Sequence, residues 1–173
     1  MRTKLWFATL AVAILTVFIT LPLAGAEKIV KEKGRTVYHF VKVEVMPVGN
    51  VPGHVVGIVD ARGLIFPDTG EVGTYSGKII FDLTNGAGSP QSYWVTTFED
   101  KSTIMTLNKA VTTPRPDGTS TFEGTATYIG GTGRFAGIKG TTSFTGKRMA
   151  PLAPGGPADS FSDYVATYTL PSQ

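Results

Sequence analysis

Two β-type runs enclosing a glycine-dense bend, residues 126–146, constrain this chain more than any other stretch. The centre reads Tyr128-Ile-Gly130-Gly131-Thr-Gly133-Arg-Phe-Ala-Gly137-Ile-Lys-Gly140. Glycine enters positive-φ conformations that other residues avoid, so this density predicts a tight corner between neighbouring strands, with at most one helical turn at residues 134–137. Gly131-Thr-Gly133-Arg-Phe-Ala136 also fits the G-x-G-x-x-G/A fingerprint of dinucleotide-binding folds. That fingerprint must open a helix whose N-terminus meets a pyrophosphate, whereas residues 139–147 alternate in character and are rich in Thr and Gly. The nucleotide reading is rejected.

The rest of the chain repeats the β pattern. Residues 37–46 alternate, with Val37, His39, Val41, Val43 and Val45 on one parity, which predicts a strand whose odd positions face an apolar environment. Further strands are predicted at 54–66, 71–83, 91–98, 103–113, 120–129, 138–145 and 161–170, separated by turns such as Pro67-Asp-Thr-Gly70. Residues 150–158, with three prolines and two glycines, break the pattern before the last of them. No helical periodicity longer than about two turns follows residue 26. Eight short strands make the chain all-β, a closed barrel or a sandwich, and closure removes the open edges that invite aggregation.

Ahead of these strands lie Arg2 and Lys4, an apolar run over residues 5–21, Pro22 and then Ala24-Gly25-Ala26. This is the order of a secretory signal peptide, with cleavage expected after Ala26. The expected organisation is a signal peptide at 1–26, a flexible leader at 27–36 and one β-barrel domain at 37–173. Lys28, Lys31, Lys33 and Arg35, interleaved with Glu27 and Glu32, suggest that leader. Losing Arg2 and Lys4 brings the 16 basic residues close to the 13 acidic ones, so nucleic acid is not indicated as a partner. There is no cysteine, hence neither a disulfide nor a Cys-linked lipid anchor, and the mature protein is expected to be secreted or periplasmic with no membrane attachment.

No nucleophile motif, phosphate loop or metal-ligand spacing stands out, so neither a metal nor another cofactor is expected. His39 shares parity with four valines, which makes it a candidate pocket acid or base; as a hydrogen-bonded core histidine it would be purely structural. His54 reads as an exposed strand start. Asp60 and Arg62 share one face of a strand about 7 Å apart, an ion pair at the surface or, on a lumen face, a recogniser of a polar head group. Aromatic residues, among them Tyr75, Phe81, Trp94, Phe122, Phe144, Tyr164 and Tyr168, occur on nearly every strand, and most are needed to fill an eight-stranded interior.

The segment from Tyr128 to Gly140 resembles the GGTGxF…G corner of plant dirigent proteins and the GGSGxFxGaxG corner of allene oxide cyclases. Asp60-Ala-Arg-Gly-Leu64, Val72-Gly73-Thr-Tyr-Ser-Gly77 and Tyr164-Val-Ala-Thr-Tyr168 are similar, in the same order, to dirigent segments, although Lys139 stands where dirigents usually carry Arg. The resemblance implies an eight-stranded antiparallel barrel, a homo-oligomer such as a trimer, and a lumen in which carboxylates steer or protonate a reactive apolar intermediate. Taking the resemblance together with the strand patterns above, Asp60 and His39 are the candidate catalytic residues, and Arg62, Tyr75 and Tyr164 the candidate ligand-binding ones. The leading functional expectation is an exported barrel that binds, and orients, a small apolar or aromatic molecule. The alternatives are a cofactor-independent cyclase or isomerase and a solid, non-catalytic structural barrel.

Overall fold

The computed structural model describes residues 27–153 and 158–171. The expected signal peptide at 1–26 lies outside them. Nine strands follow one another: β1 Lys28–Pro47, β2 His54–Pro67, β3 Gly73–Thr84, β4 Ala87–Gly88, β5 Gln91–Thr97, β6 Thr103–Pro114, β7 Ser120–Thr132, β8 Lys139–Arg148 and β9 Asp159–Leu170. A single 3-10 turn, Gly133–Phe135, joins β7 to β8. Eight strands pair antiparallel in the ring β1-β2-β3-β5-β6-β7-β8-β9, and β9 pairs again with β1, so the sheet is a closed eight-stranded barrel. The two-residue β4 bridges β3 and β6 at one end.

β1 corrects two expectations. The flexible leader at 27–36 is instead the first half of this strand, paired with β9 from Lys28 opposite Leu170 to His39 opposite Asp159. Its charges belong to a period-2 pattern: Lys31, Lys33 and Arg35 project outward while Val30, Glu32, Gly34 and Thr36 turn toward the interior. The odd-inward parity also fails before residue 41, where Tyr38 and Phe40 are buried and Val37 and His39 exposed. The β1–β2 register shifts between Phe40 and Lys42, and the extra residue of such a bulge reverses the alternation, so Val43 and Val45 do face inward.

A barrel of eight strands has little room for large rings, and glycine makes that room. Gly34 lies opposite Tyr164, Gly57 opposite Phe81, Gly77 opposite Trp94, Gly124 opposite Phe144 and Gly146 opposite Phe122. At each of these glycines an added Cβ would run into the ring across the strand pair. The rings lie flat over the bare backbone of their neighbours, the cross-strand arrangement known as aromatic rescue of glycine.

The buried side chains form two clusters. One holds Tyr38, Phe40, Val43, Val59, Phe81, Leu83 and Trp94; the other holds Phe98, Phe135, Ile138, Tyr164, Ala166 and Tyr168. The glycine corner delivers Phe135 to the second cluster, against Phe98 with ring centroids 5.1 Å apart. Arg134 covers both rings from outside at 4.8 and 4.7 Å while its guanidinium bonds Glu71 at 2.6 Å and Asp100 at 3.1 Å. The corner is thus the plug of one barrel end.

Candidate functional site

Between the two clusters the lumen leaves a cavity of about 140 Å³, close to the volume of engineered cavities that hold one benzene. Its middle is aromatic. Tyr75 from β3 stacks on Trp94 from β5 with centroids 4.1 Å apart and planes 4° apart, and Tyr38 from β1 meets that indole edge-on at 5.0 Å. Burial pushes the Tyr38 and Tyr75 hydroxyls far above the ordinary phenol range, so both stay protonated and act as neutral donors or acceptors.

The end near the glycine corner is acidic. Glu32 projects from β1, and its carboxylate accepts hydrogen bonds from the Tyr164 hydroxyl at 2.9 Å and the Tyr168 hydroxyl at 3.4 Å. Burial raises its pKa, the two hydroxyls pull it back, and the neighbouring charges of Asp68 and Glu71 push it up again; the net direction is upward. Tyr128 completes this end, accepting a hydrogen bond from Thr142 at 3.0 Å, its own pKa pushed up to about 12 chiefly by burial. A carboxyl group with a raised pKa, ringed by phenols and facing a cavity, can donate or take a proton there.

The opposite end is basic. Arg148, the last residue of β8, lines the cavity and is 9% exposed. Its Nε donates to the Ala150 carbonyl at 2.9 Å and its Nη2 to Ser120 Oγ at 2.8 Å. Strand register sets Ser120, Arg148, Ser160 and Tyr38 side by side across β7, β8, β9 and β1. Among the described residues Glu32 is the one carboxylate and Arg148 the one cation lining the lumen.

The sequence-predicted site residues divide by face. Tyr75 and Tyr164 line the lumen. Asp60, Arg62 and His39 do not: all three project from the outside of the barrel, Asp60 paired with Lys78 and His39 with Asp159 at 2.8 Å. Asp60 and Arg62 share a face as expected, yet Asp60 turns to the neighbouring strand for its partner. His54 is not an exposed strand start; its side chain is 16% exposed and lodged between Asn50 and Asp82. Sequence reasoning missed Glu32 and Arg148. The signal for Glu32 was the alternation of residues 30–36, continuous with the strand after it; Arg148 closes a Thr/Gly-rich run with nothing local to mark it as buried. No three His, Asp or Glu side chains converge as a metal site among the described residues.

An eight-stranded antiparallel ring, plugged at one end by a glycine corner and hollow in its middle, is a dirigent-like barrel. Among solved structures the chain is similar to two pterocarpan synthase dirigent proteins. It matches GePTS1 with a TM-score of 0.51 at 16% identity, covering 84% of this chain and 94% of that one. It matches PsPTS1 with a TM-score of 0.53 at 14% identity, covering 84% and 97%. At this identity the likeness is one of fold. No protein-family model matches the sequence, and no curated protein matches it.

Proposed function

We propose that this chain is an exported small-molecule-binding barrel that holds one ring-bearing molecule in its lumen and orients it between the Glu32 and Arg148 ends. The observation that carries the reading is the cavity itself: hollow, walled by Tyr38, Tyr75 and Trp94, and charged, among the described residues, at two separated points, Glu32 and Arg148. A solid structural barrel would fill this space with apolar side chains; here a half-buried carboxyl, Glu32, lines it instead. The likeness to dirigent proteins, two of them described as pterocarpan synthases, supports the same reading.

A second reading, a cofactor-independent cyclase or isomerase, is favoured by Glu32 alone. Its proton is held more tightly than an ordinary glutamate's and lies beside three phenols, a geometry suited to protonating a bound intermediate.

Titration with phenol, read by Trp94 emission, tests the binding reading. A saturable change is expected, lost in Ala126→Leu, which fills the lumen wall where Ala126 is buried. That substitution costs about 1–3 kcal/mol by overpacking and leaves a folded chain. Phenol at millimolar concentration that leaves the emission unchanged sinks the proposal.

A further inference from the structure

Arg148 as a residue is 9% exposed, and its guanidinium has no carboxylate within ion-pair distance among the described residues. Isolated buried charge is costly, and proteins ordinarily pair it. Among the described residues only two of the five N–H groups of this arginine are used, on Ala150 and Ser120. Burial lowers the pKa of the group, yet an arginine keeps its proton in proteins, so the charge remains.

One more polar group beside it lacks a full hydrogen bond. Ser160, 1% exposed and directly opposite Arg148 on β9, makes no hydrogen bond of ordinary length among the described residues; its hydroxyl faces that of Tyr38. A buried hydroxyl is rarely left without a full hydrogen bond in a native structure. Among the described residues this leaves three guanidinium N–H groups, with the Ser160 hydroxyl beside them, as donors for an acceptor that carries negative charge.

We propose that the Arg148 end of the lumen is a carboxylate-binding subsite that takes the head group of a small cyclic acid, whose ring then lies against Tyr38, Tyr75 and Trp94. The inference rests on the lumen being a binding site and adds the class of its ligand. The planar fork of arginine matches the two oxygens of a carboxylate, and a single cation balances a single charge; a phosphate carries about 1.5 to 2 at neutral pH and would be left under-compensated. Ser160 and Tyr164 are four residues apart on β9, about 13 Å along the strand. That separation keeps the anionic head away from Glu32 and leaves the acidic end for the ring or its far substituent. The two ends thereby fix which way round the molecule enters.

The experiment compares benzoate, benzamide and toluene, three probes of one ring, by thermal stabilisation and Trp94 emission on the wild-type protein, Arg148→Met and Arg148→Lys. Benzoate is expected to bind wild type at least tenfold more tightly than benzamide. Arg148→Met should lose that preference while still binding toluene, and Arg148→Lys should keep part of it, having the charge without the fork. An arginine that served only to hold residues 149–152 would leave the benzoate-to-benzamide ratio of wild type near one, and that result overturns the subsite while toluene binding upholds the lumen. A preference that survives in Arg148→Met overturns it too. If none of the three probes binds wild type, the lumen reading falls and the subsite with it. Should Arg148→Met fail to fold, the wild-type ratio and Arg148→Lys decide the matter.

Discussion

Glu32 is held in a setting that opposes its charge, and that has a pH consequence. Its pKa is raised in the folded chain, first by burial, so over the interval from the ordinary glutamate range up to its folded value the native state binds more protons than the unfolded one. Stability therefore falls as pH rises through that interval. Glu32→Gln keeps an acceptor for Tyr164 and removes the charge; it is expected to melt higher than wild type near neutrality, with the two curves converging at the acid side of the glutamate range. Asp100 and Asp163 act in the opposite sense. Their pKa values are lowered by hydrogen bonds from Ser102 and Arg35, so what they contribute is present above the ordinary aspartate range and is lost on acidification. Thermal melts of both chains from about pH 4 to 8 separate the two effects, because only the Glu32 part vanishes in the variant. In the corner, Gly133 has φ +59° and a side chain there would meet Ser102, whose hydroxyl accepts the Arg134 N–H. Gly133→Ala should lower stability by about 1 kcal/mol or more through backbone strain. A dinucleotide should not bind either form; saturable binding would revive the fingerprint rejected above.

At the scale of elements, pairing of inward glycines with inward rings lets the barrel carry so many aromatics and remain hollow. Gly77→Ala is expected to cost about 1–3 kcal/mol, since the new Cβ runs into the Trp94 ring and forces it off the Tyr75 face. Denaturation midpoints and a shift in Trp94 emission would both report it; a neutral Gly77→Ala would show that the ring does not depend on the bare backbone. These same elements show what the sequence discloses and what it hides. Turns such as Pro67 to Gly70 and the corner at 130–137 are written in residue chemistry, so seven of the eight ring strands start and stop within a few residues of expectation. Side-chain facing is not written so plainly. The bulge at Val41 reverses parity with no glycine or proline to announce it, which turned His39 outward and brought Tyr38 and Phe40 inside. Asp60 stood out by its likeness to a dirigent segment and by sharing a face with Arg62, but its strand presents even positions to the outside, and Lys78 from the next strand accounts for it. Glu32 was hidden by its lysine neighbours, which mimic a solvated leader while covering the outer face of a strand.

For the whole molecule the decisive seam is β1 against β9, because it converts a curved sheet into a barrel and sets Glu32 beside Tyr164. The pairing extends back to Lys28, which makes residues 27–36 a structural part of the barrel with a direct test. Removing them strips β9 of its neighbour from Leu170 to Ser162 and uncovers Tyr164 and Tyr168, both nearly buried in the closed form. Exposing two such rings costs about 1.5–3 kcal/mol each, which together is comparable to the 5–15 kcal/mol that holds a typical domain. The open edge of β9 would in addition offer unpaired N–H and C=O groups to other chains. A chain beginning at Val37 is therefore expected to lose cooperative thermal unfolding and to aggregate. A full-length chain with Lys31→Ser and Lys33→Ser, which alters outward charges and keeps the strand, should stay within about 0.5 kcal/mol of wild type. Circular dichroism melts of the three proteins decide between seam and leader. If the chain starting at Val37 melts cooperatively at the wild-type temperature, β1 ends its structural role at residue 37 and Glu32 is not part of the site.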